Sequence, residues 1–261
     1  MTSPGQTGPD RSQAILVQLK RIVPVAVKRP VRRALPDRYR RYFDPDWHRR
    51  TIRRNIGHWD YLGKLQLDYL VGRGLEPSHH LLDVGCGPLR AGVHFIGYLE
   101  SGHYAGVDKR GDVLETARVV ELPRYGLEDK EPLLLATDHF EFGKLGRTFD
   151  YAIAQSVFTH LPLNSIIRCL VEMGRVLRPG GKFYATIYEN PHGKLHLDDI
   201  RQSETGTSHY DYDLYHYDLD ALRFACEGTG LSFAYEGEFA HPNNQRMVVF
   251  TREPDGSGAG A

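Results

Sequence analysis

The stretch LLDVGCGPLRAG, residues 81–92, decides the fold. Its apolar start suits a buried strand, and Gly85 and Gly87 suit a turn in which backbone approaches a ligand closely. A dinucleotide fingerprint G-x-G-x-x-G wants its third glycine at position 90, where this chain carries Arg90. Tight helix-to-strand packing of that kind is therefore obstructed, and the next glycine, Gly92, is out of register. Asp83 adds a charge argument, because a carboxylate beside the loop disfavours a pyrophosphate and favours a ligand carrying positive charge.

Outward from this loop, strand-like and helical runs alternate, as a parallel α/β sheet requires. A helix is predicted over 58–75, a strand over 80–84, a helix over 90–99 and a strand over 103–108 that ends in Asp108. Next come a helix over 111–122, a strand over 132–137 followed by Asp138, and a strand over 149–156. Ile166, Ile167, Leu170, Met173, Val176 and Leu177 recur at helical spacing, with Asn164 as the expected N-cap and RPGG (178–181) as the stop. A strand over 182–188, a helix over 218–230 and an antiparallel pair, LSFAYEGE and QRMVVFTRE, complete the pattern.

With 261 residues, 41% hydrophobic and 25% charged, the chain suits one main globular core with extensions. Cys86, Cys169 and Cys226 lie far apart with no C-x-x-C spacing, which argues against a zinc site and for a reducing compartment. No stretch approaches the roughly 20 apolar residues of a membrane span, and a cytoplasmic protein is expected. The formal net charge is zero, yet residues 1–54 hold 14 Lys/Arg against 4 Asp/Glu. That basic extension is read as a solvated arm, with contact to an anionic membrane surface or a lipid-linked substrate as the second reading. Nucleic acid is disfavoured, because no aromatic stacking motif or zinc finger accompanies the charge. The expected layout is an extension over 1–54, a domain over 55–253 with an acceptor-side insertion or lid at 190–217, and a disordered tail over 254–261.

The first three strands each end in polar residues: the Gly85–Gly87 loop, Asp108, and Asp138 with His139. In an open parallel sheet ligands sit outside the carboxyl ends of strands, so these ends converge. Asp108 follows Gly87 by 21 residues, close to the spacing at which an acid meets ribose hydroxyls. Taken together, LLDVGCG, YAGVD, ATDHF, FDYAIAQSVFTHL and RVLRPGGKFYATI make the chain resemble the class I S-adenosylmethionine-dependent methyltransferases over about residues 58–252. The resemblance implies a Rossmann-like α/β fold: a seven-stranded, mostly parallel sheet with helices on both faces and a reversed last strand. It implies S-adenosylmethionine as cofactor. Asp83 and the Gly85, Cys86 and Gly87 backbone would hold its methionine moiety, with Gln155 near that end. Asp108, with Lys109 beside it, would hold the ribose, and Asp138 and His139 would flank the adenine. Duller readings stand beside these: Asp108 as a helix cap, Asp138 as a turn former and His139 as a loop residue. Arg90 either pairs with an acid or lines the site.

Methyl transfer to a hydroxyl needs an aligned nucleophile and removal of its proton. His160, in SVFTHLP, follows the fourth strand and has a suitable side chain for a general base; as an alternative it fixes its own loop by hydrogen bonding. In the acceptor-side stretch, Tyr188, Tyr210 and Tyr215 offer flat faces with polar tips, suited to sugars or polyphenols, while aromatic cover of the sheet edge is the alternative. His192, His196, Asp198 and Asp199 suggest a divalent cation only weakly, and no metal is expected. The favoured expectation is O-methylation of a carbohydrate, glycolipid or specialised small molecule. The alternatives are N- or C-methylation, or a non-catalytic cofactor-binding regulatory subunit.

Overall fold

The computed structural model describes residues 46–51, 59–204 and 206–254. Most of the basic extension expected over 1–54, namely residues 1–45 and 52–54, and the tail over 255–261, on which several sequence expectations fall, lie outside the described residues. The chain divides into two compact units, Met1–Trp59 and Asp60–Ala261. In the first, helix α1 (Trp47–Thr51) is described, and the Arg49 guanidinium lies 4.8 Å from the centre of the Trp59 ring.

The second unit is built on one sheet. Its strands run in the order β3 (Leu133–Ala136), β2 (Tyr104–Asp108), β1 (Leu81–Val84), β4 (Phe149–Ala154), β5 (Leu177–Glu189), β10 (Arg246–Arg252) and β9 (Leu231–Glu238). The first five pair in parallel; β10 runs antiparallel to both β5 and β9, as the expected reversed last strand. A short strand, β8 (His216–Tyr217), pairs with the end of β5 and makes the sheet eight-stranded rather than seven. The insertion also folds a small ribbon from β6 (Ile200–Arg201) and β7 (Thr207–Ser208).

Period-two alternation sends the side chains of β1 to opposite faces. Leu82 and Val84 join a core with helices α6 (Leu163–Val176) and α7 (Leu219–Cys226), and Leu81 joins a second core with α2 (Trp59–Val71), α3 (Gly92–Tyr98) and α4 (Gly111–Thr116). Strand order reverses between β1 and β4, so a crevice opens outside their carboxyl ends.

Three local expectations are corrected. Helix α6 begins one residue earlier than Asn164; Pro162 is its N-cap and no side chain caps it. Pro162 is extended (φ −66°, ψ 156°), so the cap lies two residues before the expected one and Asn164 falls inside the first turn. RPGG is not a separate stop: the backbone turns from α6 straight into β5, and residues 178–181 bulge where the β4–β5 register shifts between Phe149 and Tyr151. The helix expected over 111–122 runs on through a π segment (Ala117–Glu121) into α5 (Leu122–Tyr125) and stops at left-handed Gly126. Pro123 has no N–H to give the preceding turn, and the register widens just before it.

Candidate functional site

The loop after β1 is wound by three residues at positive φ: Gly85 (71°), Gly87 (54°) and Leu89 (67°). The third left-handed position is thus residue 89, not 90, and a buried leucine fills it at a cost of about 1–2 kcal/mol relative to glycine. Gly85 is needed for space as well as for φ, since a Cβ there would lie 2.5 Å from Val157 Cγ2. The backbone N–H groups of Gly85 and Cys86 both donate to the Val107 carbonyl, which ties the loop to β2 (2.8 and 3.0 Å).

Asp108 ends β2 and is clamped from two sides. Its Oδ2 accepts from Gly87 N (3.0 Å) and its Oδ1 from Arg110 N (2.8 Å). The following helix has Arg110 as N-cap with no side-chain cap, so Asp108 braces the glycine loop instead of capping α4. Each carboxylate oxygen keeps a further lone pair for a vicinal diol.

These strand ends enclose a cavity of about 480 Å³. Gly85, Asp108, Lys109, Asp138, Ser156 and His160 line it, with apolar walls from Val84, Val107, Phe140 and Val157. The volume falls in the range of small-molecule sites. Other residues singled out in the sequence sit elsewhere. His139 is exposed and outside the lining, its Nδ1 3.8 Å from Asp138 Oδ1, and left-handed Phe140 forms that wall instead. Cys86 is buried beneath the loop, with its sulfur against Gly106. Asp83 is buried and accepts from the Tyr104 hydroxyl (2.8 Å). Burial pushes its carboxyl up to about 7; the Tyr104 bond and Arg90 pull against this, and the Asp108 charge adds to it.

Gln155, at the end of β4, is the hub of a polar network behind the cavity. Its Oε1 accepts from Arg90 Nη2 (2.5 Å) and Gln66 Nε2 (3.4 Å); its Nε2 donates to Ser156 Oγ (2.5 Å) and lies 3.0 Å from His241 Nε2. Ser156 Oγ and Thr186 Oγ1 both donate to Gln245 Oε1. Burial, reinforced by Arg90, lowers His241 to about 4 and keeps it neutral. His241 and Gln245 come from the β9–β10 connection; the sequence pattern marks Gln245 only as the first residue of a strand and does not single out His241.

His160 sits in a 3₁₀ turn (Phe158–His160) at the mouth of the cavity. Its Nδ1 is 2.8 Å from Asp213 Oδ1, an acid the sequence reading did not single out. Tyr215 N donates to the Thr159 carbonyl (2.7 Å) and the Tyr217 hydroxyl to that of Leu161, so the insertion grips this turn. None of Tyr188, Tyr210 and Tyr215 lines the cavity. Tyr188 is buried, Tyr215 stacks with Tyr217 (centroids 6.2 Å), and Tyr210 presents an exposed ring. Asp199 pairs with His209 (2.8 Å) while His192 and His196 meet each other; among the described residues no three ligating side chains are placed to hold a metal ion. Nor is any described helix long and apolar enough to cross a membrane.

Residues 82–183 match the family described as a methyltransferase domain. A probable methyltransferase of Aspergillus luteorubrus is 29% identical over 119 residues, 41% of this chain and 39% of the relative. The chain thus spans about two fifths of the length of the curated relatives it matches. The fold matches that of the amino pentose methyltransferase of Micromonospora echinaspora (TM-score 0.55, 19% identity, 74% of this chain and 91% of that one). It also matches the magnesium protoporphyrin IX methyltransferase of Synechocystis with bound S-adenosylmethionine (TM-score 0.54, 15% identity, 76% and 81%).

Proposed function

We propose, from the premise that the chain carries a methyltransferase domain of the class I S-adenosylmethionine-dependent family, that it moves a methyl group from S-adenosylmethionine to an oxygen of a small acceptor. The observation that carries this reading is one cavity with the clamped Asp108 carboxylate and the Gly85 turn on one side and His160 at its mouth. The residues fit the cofactor: Asp108 keeps acceptor lone pairs for the ribose hydroxyls, and bare Gly85 lets a ligand lie against backbone. Lys109, Asp138 and the Phe140 wall complete the nucleoside end. When bound, S-adenosylmethionine supplies an activated methyl on a positively charged sulfur.

His160 takes the acceptor's proton. With Nδ1–H donating to Asp213, its Nε2 keeps a lone pair, and the carboxylate stabilises the imidazolium that forms. The acceptor enters past the insertion, with the exposed Tyr210 ring as a stacking face; a carbohydrate, glycolipid or phenolic hydroxyl suits that surface. The test is transfer of labelled methyl to panels of such acceptors by wild type and His160→Asn. The variant should transfer about 100-fold less or lower, the scale of general-base catalysis, with cofactor affinity unchanged. Equal turnover would remove His160 as the base, and label on nitrogen or carbon would replace the oxygen reading.

A further inference from the structure

We propose that Tyr212, laid flat on His209 in the insertion, is a stacking platform for a neutral sugar ring of the acceptor. The two rings stack with 3.9 Å between centroids and 17° between planes. His209 is a fixed base for that stack: its Nδ1 lies 2.8 Å from Asp199 Oδ1, its backbone N–H donates to the Leu214 carbonyl (2.6 Å), and its own carbonyl accepts from His216 N (3.0 Å). Tyr212 nonetheless keeps 52% of its surface exposed, so the ring face turned away from His209 meets solvent. A ligand that stacks on a free surface tyrosine must first order it; here the ring is ordered in advance. The loop that carries the ring is also fastened to the mouth of the cavity. Asp213, the next residue, reaches His160 Nδ1 (2.8 Å), and Tyr215 N donates to the Thr159 carbonyl (2.7 Å).

The chemistry around the ring selects the occupant. A sugar ring offers an apolar C–H face and a rim of hydroxyls, and a tyrosine meets both with a flat apolar body and a polar tip. The edge of this stack is acidic. Desolvation, then the charges of Asp199 and Asp211, raises the Tyr212 hydroxyl, which therefore stays protonated. Those two carboxylates keep lone pairs for hydroxyl donors of a ligand. Between residues 190 and 217 Asp and Glu outnumber Lys and Arg five to two, so an anionic sugar, a phosphate or an acidic lipid headgroup is repelled. A phenolic ring would stack as well, but it brings few donors to a rim of acceptors, whereas a neutral sugar brings several. As part of the acceptor's path the subsite rests on the proposed function; as a place that binds a sugar it is read without methyl transfer.

The experiment is saturation-transfer NMR on the full chain with the methyl glycosides of glucose, galactose, mannose, xylose, rhamnose and fucose, and with phenol and the methyl glycoside of glucuronic acid as counter-probes. At tens of millimolar, at least one neutral glycoside should bind wild type with saturation concentrated on the protons of one ring face, and both counter-probes should bind more weakly. Tyr212→Ala should weaken that glycoside about 10-fold, the scale of a stacked contact. Tyr212→Phe keeps the flat face and should hold it within about threefold. No neutral glycoside bound by wild type, tighter binding of phenol or the glucuronoside, or unchanged glycoside affinity in Tyr212→Ala overturns the subsite. Should Tyr212→Ala not fold, Tyr212→Leu, which keeps apolar bulk without a flat ring, replaces it with the same expected loss. Failure of the proposed function reads differently. A glycoside bound through Tyr212 with no methyl transferred removes that function and supports the sugar subsite, and methyl transfer to oxygen with no glycoside bound does the reverse.

Discussion

Gly85 and Gly87 show how two identical residues, two positions apart, do different work. Both have positive φ, but a Cβ at Gly85 would strike Val157 whereas one at Gly87 meets nothing within 4 Å. Gly87→Ala should therefore cost only the backbone term, about 1 kcal/mol, and Gly85→Ala about 2–4 kcal/mol once the clash is added. Urea denaturation of the two variants decides it, and equal losses would contradict the packing argument. The cavity lining at Gly85, Asp108, Lys109, Asp138 and His160 was legible in sequence because each residue ends or follows a predicted strand, and strand ends converge in this topology. Asp213 and His241 were not legible, because their partners lie 53 and 86 residues away and no local period marks such a pairing.

At the scale of elements, α6 was readable because its apolar period is strong, and its buried residues Ile166, Cys169, Leu170, Met173 and Val176 all face the sheet side. Met173 is fully buried in that face, so Met173→Ala should cost about 2–5 kcal/mol through lost burial and the cavity left behind. A thermal midpoint within a degree of wild type would contradict this packing. The β5 start was misread for a physical reason: Pro and Gly punctuate most chains, but here the ladder absorbs them as a bulge between two paired segments. The insertion was legible only as a polar, aromatic stretch. Its short pairings, β6 with β7 and β8 with β5, are too brief to leave a periodic trace.

For the second unit as a whole, buried titratable groups set how stability responds to pH. Burial lowers His80, His94, His216 and His241, the last to about 4. Each favours the neutral form when folded, so its contribution is present above the unfolded value of 6.5 and is lost as pH falls below it, for His241 down toward about 4. Asp83 acts in the opposite sense. Its raised value favours the protonated folded form, so stability is lost as pH rises from 3.8 toward about 7. The two trends overlap and offset each other in wild type, and single substitutions separate them. His241→Asn should lose less stability than wild type on acidification, and Asp83→Asn should gain on wild type as pH rises from about 4 to about 7. Denaturation curves at several pH values check both, and profiles parallel to wild type would contradict the assignment.

The central claim is that the cavity at the carboxyl ends of β1, β2 and β4 holds S-adenosylmethionine through Asp108. Calorimetric titration of wild type and Asp108→Ala with S-adenosylmethionine and S-adenosylhomocysteine tests it most directly. The account predicts micromolar binding to wild type and a loss of about 2 kcal/mol, roughly 30-fold, in the variant. Absence of binding to wild type, or equal affinity in the variant, would contradict it.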